Sequence, residues 1–111
     1  MNCYSLGHRE IAADAEGYLQ HLDDWSPDVA RAIATAEGIA LTKAHWEVID
    51  QLRGFYQEYQ LAPAMRPLIA HLALQLGKEK GRSIYLLQLF PGSPAKIACK
   101  IAGLPRPANC L

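Results

Sequence analysis

Cys110 is the residue whose position is hardest to explain by packing. It is the penultimate residue of the chain. It lies near the end of a tail, residues 104–111, that contains Pro105 and Pro107. Chain ends are usually solvated, whereas cysteines outside disulfides are more often buried than exposed. Two interpretations are open on spacing alone: an incidental terminal thiol, or a reactive thiol that an extended arm carries into a partner's active site.

The tail is predicted to be an extended, semi-rigid arm, because each proline fixes its own φ and disfavours helix in the residue before it. From Gly103, which supplies the predicted hinge, seven residues span up to roughly 25 Å to Cys110. The carboxylate of Leu111 disfavours the Cys110 thiolate, and Lys100 and Arg106 offset this effect only if the arm folds back. A weakly ionised thiol suits a carrier that a partner activates better than a self-sufficient nucleophile.

Cys99 precedes Cys110 with ten residues between them. It is interpreted either as a small buried core residue of an apolar helix or as the partner of Cys110 in a reversible disulfide, which requires the two Cα atoms to lie within about 7 Å. Cys3 is assigned no role. The three cysteines follow neither CxxC nor zinc-ligand spacing, so we expect no metal and no organic cofactor.

The charge balance excludes a broad electrostatic attraction to nucleic acid or to an anionic membrane, because 11 basic residues face 11 acidic ones. Half of the residues are apolar, as in one small globular domain. Neither a secretory signal nor a membrane-spanning run is found. We therefore expect reduced thiols and a cytoplasmic protein.

Independent catalysis is not supported, since the sequence contains no glycine-rich phosphate loop, paired carboxylates or Ser/His/Asp order. His45 and His71 are predicted to be hydrogen-bonded core histidines. One alternative function is a helix-turn-helix nucleic-acid-binding regulator built from residues 50–59 and 65–76. Its outward residues would be Arg66, His71 and Gln75, a set without a basic face.

Capping and periodicity predict a mainly α domain: about five helices in an orthogonal bundle, with a small N-terminal β-hairpin turning at Gly7-His8. The predicted helices, with their start and stop signals, are Pro27 to Gly38, Thr42 to Tyr59, Pro63 to Gly77, Ile84 to Phe90 after a Ser83 cap, and Ala95 to about Ile101. The fourth is expected to be buried on most sides. Residues 1–103 form the predicted domain and residues 104–111 the mobile arm.

The C-terminal third resembles the DsrC/TusE family of sulfur relay proteins. The segments that carry the resemblance are Leu89-Phe90-Pro91-Gly92-Ser93-Pro94-Ala95-Lys96, Ala98-Cys99-Lys100-Ile101-Ala102-Gly103-Leu104-Pro105-Arg106-Pro107 and the penultimate Cys110. Upstream segments also fit, among them Glu16-Gly17-Tyr18-Leu19, Trp25, His45-Trp46-Glu47 and Gly77-Lys78-Glu79-Lys80-Gly81. The likeness covers essentially the whole chain.

The resemblance implies a sulfur carrier in which Cys110 holds sulfur as a persulfide and Cys99 is its redox companion, as in two-cysteine members of the family. It implies a sulfurtransferase in the relay sense only, acting between an upstream persulfide donor and a downstream acceptor. The implied partners are a TusBCD-like complex, a tRNA thiolase that makes wobble 2-thiouridine, or dissimilatory sulfite reductase. Lys100 and Arg106 are candidates for docking an acidic partner surface.

Overall fold

The structure of the protein, a computed structural model, describes residues 2–107. Its N-terminal hairpin pairs strand β1 (Asn2–Leu6) with antiparallel β2 (Arg9–Ala13), so that Tyr4 lies opposite Ile11. Gly7 adopts φ +61° in the connecting turn, which a residue without Cβ does at little cost. The predicted hairpin is confirmed.

Five α-helices follow the hairpin, and they confirm the predicted mainly α fold. A single 3₁₀ turn, Leu22–Asp24, which the sequence did not indicate, precedes them. The helices are α1 (Pro27–Ala36), α2 (Lys43–Tyr59), α3 (Met65–Leu76), α4 (Ser83–Leu89) and α5 (Pro94–Ile101). None of them, within residues 2–107, is both long enough and apolar enough to cross a bilayer.

The core lies around α5, which packs against the other four helices. Its members include fully buried aliphatic side chains from α1, α2 and α3, together with Phe90. The side chain of Ser26 accepts a hydrogen bond from the amide of Val29 at 3.2 Å, as its predicted capping role requires. Because α5 is short and almost surrounded, its position is set by the whole bundle.

The third helix begins at Met65, two residues later than predicted. Pro67 explains the difference: it has no N–H to donate to the carbonyl of Pro63, and its ring would clash with that carbonyl in a continuous helix. The first helical bond instead runs from the Leu68 amide to the Ala64 carbonyl, at 3.0 Å. The carbonyl of Pro63, a fully buried residue, is thereby left for another donor.

The prediction that the fourth helix is buried on most sides is wrong. In α4, Leu86 is buried, but Ile84 and Leu87 are 57% and 42% exposed, because the main packing partner of this short helix is α5 alone. At the end of α2, Tyr59 is 56% exposed, and its ring lies 4.7 Å from that of Phe55. The apolar repeat of α2 thus extends further along the helix than the core does. A smaller difference is that Arg82, not Ser83, is the N-cap of α4.

Candidate functional site

Cys99 lies in the last turn of α5, and its side chain is fully buried. Its thiol donates a hydrogen bond to the carbonyl of Pro63 at 3.8 Å, the acceptor that Pro67 leaves out of helix α3. The burial of Cys99 in the core, one of its two interpretations, is confirmed. Cys110, its predicted partner, lies outside the described residues, so the disulfide stays a prediction.

The C-terminal end of α5 has a hydrogen-bond donor for each of its last carbonyls. The amides of Gly103 and Leu104 turn back to the carbonyls of Lys100 and Cys99, at 3.1 and 2.9 Å. The next two carbonyls are bound by side chains from elsewhere in the chain. Trp25 Nε1 donates to Ile101 at 2.9 Å, and Arg53 Nη1 donates to Ala102 at 2.7 Å. We call residues 98–104 with Trp25 and Arg53 the exit region.

Trp25 and Arg53 also contact each other. The guanidinium carbon of Arg53 lies 3.8 Å from the centre of the indole, a cation–π stack between the segment before α1 and the middle of α2. Burial lowers the pKa of Arg53 from its ordinary value, and the charge of Asp50 opposes that shift. Arginine nevertheless stays charged in proteins, so the guanidinium remains a full donor.

Gly103 caps the end of α5 in the described structure, and its role as the hinge of the arm stays a prediction. Its φ of +75° is the left-handed conformation typical of a residue just beyond a helix. A Cβ at this position would overlap the indole of Trp25. Leu104, the first residue of the predicted arm, is 2% exposed and belongs to the core. The domain boundary after residue 103 stays a prediction.

The two candidate docking residues are each paired with a carboxylate of this chain. Lys100 Nζ lies 2.9 Å from Glu37 Oε2, and the lysine side chain is only 14% exposed. Arg106 Nη1 lies 3.0 Å from Glu16 Oε2, with 56% of the arginine side chain exposed. Of the two cations, Arg106 is the more accessible to a partner.

Cys3 differs from Cys99 in exposure and in the charge beside it. Its thiol is on the surface of the hairpin and lies 3.5 Å from Glu10 Oε1. The hydrogen bond to Glu10 and the negative charge of that carboxylate raise the pKa of the Cys3 thiol. Exposure alone therefore does not make Cys3 a good nucleophile.

The two histidines named in the sequence analysis make internal hydrogen bonds, as predicted. The ring of His45 accepts the Thr42 amide at Nδ1 (3.0 Å) and contacts the Leu89 carbonyl through Nε2 (2.8 Å). The ring of His71 is 3.1 Å from the amide oxygen of Gln51.

Across residues 2–107, no group of three or more His, Cys, Asp or Glu side chains is arranged to hold a metal ion.

Sequence reasoning did not identify Arg53 as part of the site, and it used Trp25 only as a boundary and as a family match. The position of Arg53 in α2 carried no signal, because it lies on the flank of an amphipathic helix where a solvated arginine is ordinary. A tryptophan directly before a helix cap was the available hint for Trp25, since a buried indole N–H needs an acceptor.

The chain matches the family model described as DsrC like protein over residues 5–111. It is 55% identical to the sulfurtransferase TusE of Sodalis glossinidius over 102 residues, which cover 92% of this chain and 94% of that relative. It is 56% identical to the TusE homolog of Haemophilus influenzae over 102 residues, with the same coverage of 92% and 94%.

Solved structures agree with these sequence relatives. The NMR structure of Allochromatium vinosum DsrC has a TM-score of 0.89 and 47% identity, with 99% of this chain and 98% of that chain covered. The oxidized gamma-subunit of the dissimilatory sulfite reductase (DsrC) from Archaeoglobus fulgidus has a TM-score of 0.86 and 34% identity, with 99% and 100% covered.

Proposed function

The chain belongs to the DsrC-like protein family, and on that premise we propose that it is a sulfur relay carrier whose Cys110 accepts and delivers sulfur as a persulfide. The observation that carries the proposal is the family match, which runs through residue 111 and so includes Cys110. The relatives are named sulfurtransferases, which supports a role in sulfur transfer.

The surroundings of the other two cysteines support the choice of Cys110. Cys3 is exposed, but its thiolate is disfavoured by Glu10. Cys99 is buried, so a donor protein cannot reach its sulfur without a rearrangement of α5. A carrier thiol must instead visit two different partners, and an extended arm allows this while the domain stays outside their active sites.

Loading is a thiolate attack on a persulfide. The Cys110 thiolate attacks the outer sulfur of a donor persulfide, R–S–SH. The bond between the two donor sulfurs breaks, Cys110 becomes Cys110–S–SH, and the donor leaves as R–S⁻. Delivery repeats the same exchange with the acceptor as the attacking group. Neither step needs a metal or an organic cofactor.

Cys99 is proposed as the redox companion of Cys110. When the arm brings the two residues together, the Cys99 thiolate attacks the inner sulfur of Cys110–S–SH. A Cys99–Cys110 disulfide forms, and the outer sulfur leaves as hydrosulfide, HS⁻, having taken the two electrons that the two cysteines lose. Because the Cys99 thiol is buried, this exchange also requires a local opening of the packing around α5, and a thiol on the same chain uses such an opening more readily than a separate protein does.

The proposed partners are an upstream persulfide donor and a downstream acceptor in the cytoplasm. The candidate partners are a TusBCD-like complex, a tRNA thiolase or dissimilatory sulfite reductase; the first two follow from the resemblance to TusE, and the third is supported by the name of a solved relative. Direct binding of nucleic acid is not proposed. Because Lys100 is largely covered by Glu37, Arg106 is the stronger docking candidate, exchanging Glu16 for a carboxylate of the partner.

The proposal is tested by intact mass measurement after incubation with glutathione persulfide. We expect Cys99→Ser to gain one labile sulfur atom that dithiothreitol removes. The parent protein and Cys3→Ser should gain the same atom or, where Cys99 has displaced it, show the loss of two hydrogens that marks the disulfide. Cys110→Ser should gain none. Sulfur uptake by Cys110→Ser equal to that of Cys99→Ser would contradict the assignment, provided that circular dichroism shows both proteins to be folded.

A further inference from the structure

The last four carbonyls of α5, from Ala98 to Ile101, and that of the C-cap residue Ala102 all have donors. The Ala102 amide binds Ala98, the amides of residues 103 and 104 bind the next two carbonyls, and Trp25 and Arg53 bind the last two. Helix ends normally leave their final carbonyls to water or to a cap made by the following residues. Two side chains supplied by distant segments are more than a helix stop requires.

This arrangement fixes the direction in which the chain leaves α5. The stacked Trp25 and Arg53 hold the Ile101 and Ala102 carbonyls, while Gly103 packs against the indole in a left-handed conformation. Leu104 is then buried in the core. Free rotation at residues 101–104 would break at least one of these contacts.

We call residues 101–104 the root of the arm. The direction of the root also sets the direction of the residues after it, because Pro105 and Pro107 make this part of the chain stiff. Further along, the described arm is held by the Arg106–Glu16 ion pair, which is exposed and weak, and by the burial of Pro107. Cys99 belongs to the same helix as the root of the arm. The buried thiol and the start of the arm are therefore parts of one rigid unit.

We propose that Trp25 and Arg53 are positioning residues that aim the arm, and that they thereby set the effective concentration of the Cys110 thiol at Cys99. They act through the backbone of residues 101–104 and do not touch either sulfur. The inference rests on the proposed function, since it assigns the aimed arm to the Cys110–Cys99 exchange.

The test is the equilibrium of the full chain with reduced and oxidised glutathione. Oxidised glutathione takes two electrons from Cys99 and Cys110 and leaves as two reduced molecules, so the ratio at which half of the protein holds the disulfide reports the effective concentration. Trapping by acid and mass measurement of alkylated samples give the oxidised fraction, and a Cys3→Ser background removes the third thiol.

Three variants loosen the root in different ways. Trp25→Phe removes the N–H and keeps an aromatic ring, Arg53→Met removes the guanidinium and keeps an unbranched chain, and the double variant removes both. We expect the effective concentration to fall by roughly three-fold in Trp25→Phe and roughly ten-fold in Arg53→Met, as the arm samples a larger volume. The double variant should fall at least as far as Arg53→Met.

Arg31→Met is the matched control. Arg31 is also placed over a tryptophan, 5.2 Å from the Trp46 ring, but no hydrogen bond from its side chain to the backbone of α5 is found within the described residues. We expect its effective concentration to stay within two-fold of the parent value. Urea unfolding of every variant measures the loss of stability separately.

Values for Trp25→Phe and Arg53→Met that both stay within two-fold of the parent, in folded proteins, would overturn the positioning role. A parent that forms no disulfide at any glutathione ratio would overturn it as well. Failure of the proposed function is a different result: Cys99→Ser, which lacks the Cys99 exchange, then takes up no sulfur from glutathione persulfide, whatever the disulfide equilibrium of the parent.

Discussion

The hairpin and the exit region each contain a cysteine and a left-handed glycine, yet they use these residues in opposite ways. In the hairpin, Cys3 is exposed beside Glu10, and a Cβ on Gly7 would meet no atom of residues 2–107 within 4 Å. In the exit region, Cys99 is buried and Gly103 is pressed against Trp25. The hairpin is joined mainly to α1, whereas α5 contacts all of the other helices.

The difference teaches that accessibility and reactivity are set separately. An exposed thiol whose thiolate is disfavoured and a buried thiol that no partner can reach are both unsuited to act as a carrier alone. The more tightly constrained of the two regions is the exit region, where the C-terminal arm begins. Four comparisons between variants measure how far the two regions differ.

The largest expected effect is that of Gly103→Ala on stability. Its methyl group would be forced into the indole of Trp25, and the left-handed φ adds strain, so we expect a loss of about 3 kcal/mol or more. Gly7→Ala has a comparable φ in open space and should lose about 1 kcal/mol. Urea unfolding checks both. Equal losses would show that the contact with Trp25 does not constrain the exit.

The next effect compares the two cysteines. Cys99→Ala leaves a cavity in the core and removes the hydrogen bond to Pro63, so we expect a loss of about 1 to 2 kcal/mol. Cys3→Ala, on the surface of the hairpin, should change stability by less than about 0.5 kcal/mol. The urea midpoints of the two variants, measured under reducing conditions, should therefore differ clearly. A Cys99→Ala midpoint equal to that of the parent would count against tight packing around α5.

A smaller effect is expected from the ion pairs. Lys100→Met removes a 2.9 Å pair and leaves the half-covered Glu37 without its cation, at a loss of about 1 kcal/mol. Arg9→Met removes a looser pair, 3.8 Å to Asp24, and should lose less than about 0.5 kcal/mol. Thermal unfolding at low and high salt separates the two, because exposed pairs are screened more strongly.

The smallest effect changes reactivity and leaves stability nearly unchanged. Glu10 raises the pKa of Cys3, so at a pH below that pKa less thiolate is present than in an ordinary cysteine. Glu10→Gln should lower the pKa and increase alkylation of Cys3 by roughly two- to five-fold near neutral pH. Mass measurement of the Cys3 peptide gives the rate, with Glu58→Gln on α2 as control. An unchanged rate would remove Glu10 as the cause.

Most of the fold could be predicted because its signals are local. Caps such as Ser26-Pro27 and the glycines after α1 and α3 state where helices begin and end, and the repeat Val48, Ile49, Leu52 states which face is buried. The two main errors have different causes. The burial of α4 depends on how many distant elements cover it, whereas the start of α3 follows from Pro67, a local signal four residues after Pro63 that the prediction did not use.

The site could be predicted only in part, for the same reason. The buried position of Cys99 follows from the apolar residues beside it in α5. The contacts of Arg53 do not, since α2 and α5 are far apart in sequence and nothing local marks an arginine that reaches the Ala102 carbonyl. Lys100 and Arg106 were predicted from charge alone, and their pairing with Glu37 and Glu16 depends on how distant segments approach each other.

The sequence by itself determined the five helices, the hairpin, the balance of charge and the family, since all of these are written in residue types and short-range spacing. Only the tertiary structure decided that Gly103 is a cap held against Trp25, that Arg53 completes the end of α5, and that the thiol of Cys99 binds the carbonyl of Pro63. The physical reason is that the backbone carbonyls at a helix end are chemically alike in all residues, so the residue type does not show which donor will bind them. The partner of each carbonyl is therefore chosen by whichever donor the packed bundle brings within hydrogen-bond distance.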